Sequence, residues 1–123
     1  MGTQAYTIRT DVKFAPLQLI DLGALAAEAS DPWFNQTLCR VNECVVRVGV
    51  VQGEFHWHKH AQDDEFFFVV DGHFIIELEG RTVELAPRQG FTVPRGVVHR
   101  TRAPVRSIVL MIEGAGVVPT GDA

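Results

Sequence analysis

Asp71-Gly72 separates two short runs, Glu65–Val70 and His73–Leu78, both dense in β-branched and aromatic residues. A glycine in the second place of such a pair adopts positive φ without steric cost, which a tight hairpin turn demands. The same punctuation recurs along the chain. Asn42-Glu43 parts Gln36–Val41 from Cys44–Val51, Glu79-Gly80 introduces Thr82–Leu85, and Pro94-Arg95-Gly96 stops Phe91-Thr92-Val93. Val98–Thr101 and Arg106–Ile112 read as two further strands. A chain of eight or more short strands with regular turn signals buries its apolar faces by closing the sheet or packing two sheets face to face. The spacing predicts an all-β domain and leaves open whether it is a closed barrel or a jelly roll.

Helix is confined to one place. Asp21 is a plausible cap for Leu22–Ala29, and Ser30-Asp31-Pro32 ends the segment after a turn or two. One strand is expected around Tyr6-Thr7-Ile8. With 123 residues, no linker and no repeat of solenoid length, the whole chain is expected to be one domain. Its parts would be a lead-in arm over 1–16, a barrel core over 34–113 and a flexible tail over 114–123.

Composition removes several classes of function. The net charge of -4 carries no footprint for a phosphate backbone, so nucleic acid is not an expected partner. No apolar run approaches the roughly 20 residues that span a bilayer, and the start of the chain shows no apolar signal segment. A cytoplasmic protein without a membrane partner is the expectation. On that ground the sequon Asn35-Gln36-Thr37 is a chance match, and Cys39 and Cys44 are expected to be reduced, partly buried thiols.

The chemistry gathers in Gly53–His60, GEFHWHKH, which places His56, His58 and His60 at alternating positions. On a regular strand these three share one face, while Phe55, Trp57 and Lys59 share the other. The first and last imidazole would stand about 13 Å apart by strand rise, too far for one ion with bonds near 2 Å. Only 56/58 or 58/60 can act together. After the polar turn Ala61-Gln62-Asp63-Asp64, Glu65 opens an apolar strand. An antiparallel return would set it beside His58 and His60. A buried carboxylate needs a charge partner, and a divalent cation is one. His99, behind the turn Pro94-Arg95-Gly96, is the candidate fourth ligand. Three imidazoles and a carboxylate suit a transition metal with open positions. Alternating histidines can also be ordinary solvated residues, but that explains neither Glu65 nor His99.

These residues resemble a known family. His58-Lys59-His60, Glu65 and Gly72 resemble the first motif of the cupins, and Pro94 through His99 resembles the second. The resemblance covers about Gly49 to Ile112. It implies a double-stranded β-helix (jelly-roll) barrel in which His58, His60, Glu65 and His99 hold one divalent transition metal, Mn, Fe, Ni or Zn. It also implies a homodimer and a small-molecule ligand or substrate, a small organic acid or sugar, inside the barrel. The chain departs from the family pattern in three places. Arg88 stands where a glycine usually precedes the second-motif proline, Gly53 is one residue closer to the first ligand, and Ala103 replaces a common asparagine.

The remaining candidates are secondary. His56 is expected one pleat along the inner face, either as a base or substrate contact or as a histidine satisfied by a neighbouring backbone group. Phe55 and Trp57 are expected under the N-terminal segment or in a dimer contact. Phe67 shares the Glu65 face and would wall the pocket. Arg100 and Arg102 read as outer-surface charges, Arg95 as a turn residue within reach of the rim, and His73 as solvated. Activity remains open between a metalloenzyme of isomerase or dioxygenase type and a non-catalytic small-molecule-binding or sensory barrel.

Overall fold

A computed structural model describes residues 6–121. The first five residues of the expected lead-in and the last two of the expected tail lie outside the described residues. The chain forms β1 (Tyr6–Arg9), α1 (Leu22–Glu28), β2 (Trp33–Val41), β3 (Cys44–Glu54), β4 (Glu65–Asp71), β5 (Phe74–Leu78), β6 (Arg81–Leu85), β7 (Gly90–Val93) and β8 (His99–Gly114).

The hairpin signals hold. Asn42 takes φ 53° between β2 and β3, and Gly72 takes φ 91° between β4 and β5. A Cβ on Gly72 would lie 2.7 Å from Ser107 Cα, so both backbone conformation and space select glycine there. Asp21 caps α1 by accepting from the Ala24 amide at 3.1 Å.

Strands follow the order β1-β2-β3-β8-β4-β7, and β5 pairs with both β8 and β6. The shared strand is β8. Its first residues, His99 to Arg102, pair with β5, while its later residues pair with β3 on one side and β4 on the other. This strand therefore belongs to both walls of a double-stranded β-helix barrel. The sequence reading broke it in two around Pro104, but it is continuous for 16 residues. Pro104 has no amide to donate. It falls where β3 shifts register between Val51 and Gly53, so the ladder loses nothing by its presence.

Inward residues of β2, β3, β4, β5 and β8, with Phe55 just past the end of β3, build the inner core of Trp33, Val51, Phe55, Phe67, Val69, Phe74, Ile76, Val109 and Met111. A second cluster, Leu25, Leu38, Val48 and Val50, lies on the outer face of β2 and β3 under α1, Phe14 and Ile20. Covered on both sides, β3 reads as a nearly continuous apolar run rather than an alternating one. Cys39 is half-buried, but Cys44 is exposed at the hairpin end, contrary to the expectation for both thiols.

Candidate metal centre

Regular β3 ends at Glu54, before the first histidine. Gly53 takes φ 102° beside the register shift with β8, and the alternation expected across His56–His60 is lost there. Phe55 is buried between Tyr6 and Trp33, with ring centroids 4.7 and 5.2 Å away. Trp57, expected on the same face, is 46% exposed, and the Arg100 guanidinium lies 5.4 Å from its ring centre. His56 is also exposed and does not line the barrel cavity. Its Nε2 donates to the Thr120 carbonyl at 2.7 Å. The expectation of an inward-facing His56 gives way to the alternative reading, a histidine satisfied by backbone.

His58 and His60 reach the interior by different means. His58 forms an isolated antiparallel bridge with His99, which draws the loop onto the start of β8. His60 is 4% exposed, and its carbonyl accepts from the Gly96 amide at 2.8 Å. Glu65 arrives from across the barrel. Its strand pairs with β7 and β8, so the expected antiparallel return beside the histidine stretch is not how it approaches. The expected meeting nonetheless occurs. One ligand-type atom from each of His58, His60, Glu65 and His99 lies within 4.8 Å of the others.

The details fit a bound cation. His60 Nε2 and His99 Nε2 stand 3.3 and 3.4 Å from Glu65 Oε1. Two donors each about 2.1 Å from one ion, at angles near 90–110°, lie about 3.0–3.4 Å apart. All three atoms are buried without a hydrogen-bond partner, a costly arrangement unless something else satisfies them. Two of the three ring tautomers are also set. His58 Nδ1 donates to the His56 carbonyl at 2.9 Å, and His99 Nδ1 donates to the Val97 carbonyl at 3.0 Å. Each ring is left with a lone pair on Nε2, the state a metal ligand needs. Burial lowers the His58 pKa to about 4, with the neighbouring His99 and His60 acting in the same direction and the His56 carbonyl and Glu65 opposing. His58 is therefore neutral at pH 7.

Two participants were not read from the sequence. Glu113, 3% exposed, lines the cavity beside Glu65, and Arg47, also 3% exposed, approaches it at 3.3 Å. Arg47 also donates to the Val117 carbonyl at 3.0 Å. Burial works to raise the Glu65 carboxyl, but the His60 and His99 rings close to it, together with Glu113, outweigh burial and hold Glu65 below the ordinary carboxylate range. Burial and the Glu65 charge push Glu113 up to about 10, against the pull of Arg47. Two signals were available. Arg47 is a lone cation inside the apolar run Val45–Val48, and Glu113 continues the inward parity of Val109 and Met111.

The other candidates sort simply. Phe67 is buried on the cavity wall, while Phe66 and Phe68 face outward and are half-buried. Arg100 and Arg102 pair with Glu77 at 2.7 Å each, on the outside of the barrel. Arg95 pairs with Asp64 at 3.3 Å, and His73 pairs with Glu84 at 2.8 Å.

The segment after β8, expected to be a loose tail, folds back over the barrel mouth. Val117 is 6% exposed, Pro119 lines the cavity and Gly121 rests on His58. A Cβ on Gly121 would come within 2.5 Å of His58 Cβ. The cavity beneath is narrow. About 30 Å³ is open inside walls that include Trp33, Phe55, Phe67, Phe74, Asn35 and Thr101.

A small double-stranded β-helix with three imidazoles and a carboxylate converging inside is the architecture of a cupin. The sequence profile of the cupin domain matches residues 44–116, and the chain belongs to that family. The uncharacterised YdbB protein of Bacillus subtilis (strain 168) is 36% identical over 94 residues, 76% of this chain and 83% of that protein. A cupin-2 domain containing protein from Shewanella frigidimarina superposes with a TM-score of 0.74 at 26% identity, over 78% of this chain and 94% of its own. Protein NMB1881 from Neisseria meningitidis shares the fold, with a TM-score of 0.71 at 22% identity over 79% and 99% of the two chains. No helix among the described residues is long and apolar enough to cross a membrane.

Proposed function

We propose that this cupin holds one divalent transition metal on His58, His60, Glu65 and His99 and uses it to bind a small oxygen-bearing organic molecule inside the barrel. The carrying observation is the group of three buried, unpartnered atoms, His60 Nε2, His99 Nε2 and Glu65 Oε1, spaced as ligands of one ion. A bound metal would act as a Lewis acid on an oxygen of the guest. The chain supplies the rest. His58 and His99 are held in the ligand tautomer by backbone carbonyls, and aromatic side chains wall the cavity.

Three neutral imidazoles, one carboxylate and a divalent ion sum to a charge of about +1, which favours a singly charged anionic guest. Elemental analysis of untagged protein tests the metal. About one Mn, Fe, Ni or Zn per chain is expected, lost in His60→Ala and His99→Ala. Protein that arrives metal-free and takes up none of these ions at micromolar concentration would end this reading. A second reading, a sensory barrel that binds without turnover, gains support from one observation. His56, the histidine expected to serve as a base, is occupied by the Thr120 carbonyl and stands outside the cavity.

A further inference from the structure

One buried polar group on the cavity wall remains without a role. Asn35 lies on β2 with Oδ1 buried and unpartnered, and it lines the same cavity as His58 and Glu65. The residue is 8% exposed, so the sequon it heads is not available for glycosylation. In register beside it are Gly49 on β3 and then Val109 on β8, neither with a side-chain donor. Gly49 keeps this part of the wall open, because a Cβ there would meet Met111 Cε at 3.3 Å.

Asn35 stands away from the metal-ligand cluster. Val109, in its row, is four residues along β8 from Glu113, about 13 Å by strand rise, and Glu113 is the residue beside Glu65. Between the two ends the walls are mostly apolar: Trp33, Val51, Phe55, Phe67, Phe74, Val109 and Met111. An unpaired amide oxygen in such surroundings costs about 1–3 kcal/mol unless a guest or a water donates to it. The cavity's 30 Å³ exceeds the roughly 10–15 Å³ needed by one water, so there is room beside Asn35 for a small donor group.

Resting on the metal reading above, we infer that Asn35 is the specificity residue of this site, accepting a hydrogen bond from the distal hydroxyl of a short, unbranched 2-hydroxy acid whose carboxylate and 2-hydroxyl oxygens lie at the metal. The guest's single negative charge matches the site's charge. Its methylene body matches the apolar walls, and its terminal hydroxyl supplies the donor that Asn35 lacks. A site with a buried acceptor discriminates strongly against a guest without the donor, because the acceptor is then left unpaired.

The test uses the full chain loaded with cobalt(II), whose visible spectrum reports on groups entering its coordination sphere. Metal content is measured first. A chain that takes up no cobalt refutes the metal reading and this inference together, before any acid is added. The loaded protein is then titrated with two matched pairs, 2-hydroxybutanoate against 2,4-dihydroxybutanoate and 2-hydroxypentanoate against 2,5-dihydroxypentanoate. At one chain length the dihydroxy acid is expected to bind at least tenfold more tightly than its partner. Asn35→Leu should bring that pair within twofold, and Asn35→Asp, which keeps an acceptor, should retain the preference. Should the leucine variant not fold, Asn35→Ser, one atom shorter, is expected to lose the preference instead. Equal binding within both pairs by the parent would show that Asn35 is satisfied by water only, and a preference that survives Asn35→Leu would assign it to another residue. Absence of any spectral change with all four acids, in protein that holds cobalt, would reject the ligand class and leave the metal reading intact.

Discussion

His58 and His99 exchange both backbone hydrogen bonds, each amide to the other's carbonyl at 2.9 Å, and their ring centroids lie 4.3 Å apart. This single bridge joins the loop after β3 to the first residue of β8 and sets two imidazoles side by side before any ion binds. Ligands placed in advance lose little entropy on binding. His58→Ala and His99→Ala are therefore expected to lower metal affinity by tenfold or more in competition with a calibrated chelator. His56→Ala should stay within about twofold of the parent. Equal losses from His56→Ala and His58→Ala would contradict the placement of His56 against Thr120.

Glu65 supplies the negative charge of the cluster. Glu65→Gln preserves shape and one oxygen while raising the net charge of the site by one, so affinity for a divalent ion should fall by about tenfold or more. The melting temperature in chelator should change much less than the affinity does. If Glu65→Gln holds metal like the parent and its apo form is more stable, the carboxylate is a bystander and the site has three ligands.

Acidification should weaken the apo protein through His58. The unfolded chain protonates this ring near pH 6.5, whereas the folded chain resists until about pH 4. Between those values the unfolded state binds more protons, so stability is full above about 6.5 and falls as pH drops toward 4. The contribution lost by pH 5 is about 2 kcal/mol. Glu113, pushed up from 4.5 to about 10, acts in the opposite sense over an overlapping range and loses stability as pH rises from 4.5 toward 10. Comparison with His58→Gln isolates the histidine. In chelator, the change in stability from pH 7.5 to pH 5 should be less favourable in the parent than in His58→Gln by about 2 kcal/mol, and parallel changes would refute the assignment.

The closing segment should govern exchange. Gly121 has φ 94° and no room for a Cβ against His58, so Gly121→Val is expected to lift the chain from the mouth. Metal release to excess chelator should then accelerate several-fold, and His56→Ala, which removes the contact to Thr120, should accelerate it less. Unchanged release rates in both would mean that the segment does not limit passage.

Much of this architecture is legible in the residues themselves. The hairpins announced by Asn42-Glu43 and Asp71-Gly72 and the capped helix at Asp21 follow from local rules that tertiary packing did not override, while the convergence of His58, His60, Glu65 and His99 was implied by their resemblance to the two cupin motifs. Period-two reasoning failed where its premise failed. Gly53 leaves the extended conformation, so Phe55 turns inward and His56 outward, and no alternation count carries past it. Arg47 and Glu113 went unread because each owes its meaning to a partner 66 positions away in the sequence, a relation that only strand pairing reveals.

Arg88 illustrates a departure that the fold absorbs. It stands where the family usually has glycine, and it retains the left-handed backbone, with φ 71° and its amide donating to the Val69 carbonyl at 2.7 Å. A non-glycine residue there costs about 1–2 kcal/mol, partly offset by the lower entropy of its unfolded state. Arg88→Gly is expected to stabilise the protein by about 1 kcal/mol or less, read as a rise of a few degrees in melting temperature. A fall would show that the arginine side chain makes a compensating contact.

The folding-back of Val117–Gly121 has a practical consequence for handling this protein. Whatever is joined beyond residue 121 begins at the barrel entrance, within reach of the imidazoles. A polyhistidine tag at that end would present a second set of ligands beside the first, and ions it carried from an affinity column would be counted as the protein's own. Fusions at the carboxyl end will report on the doorway as much as on the room behind it.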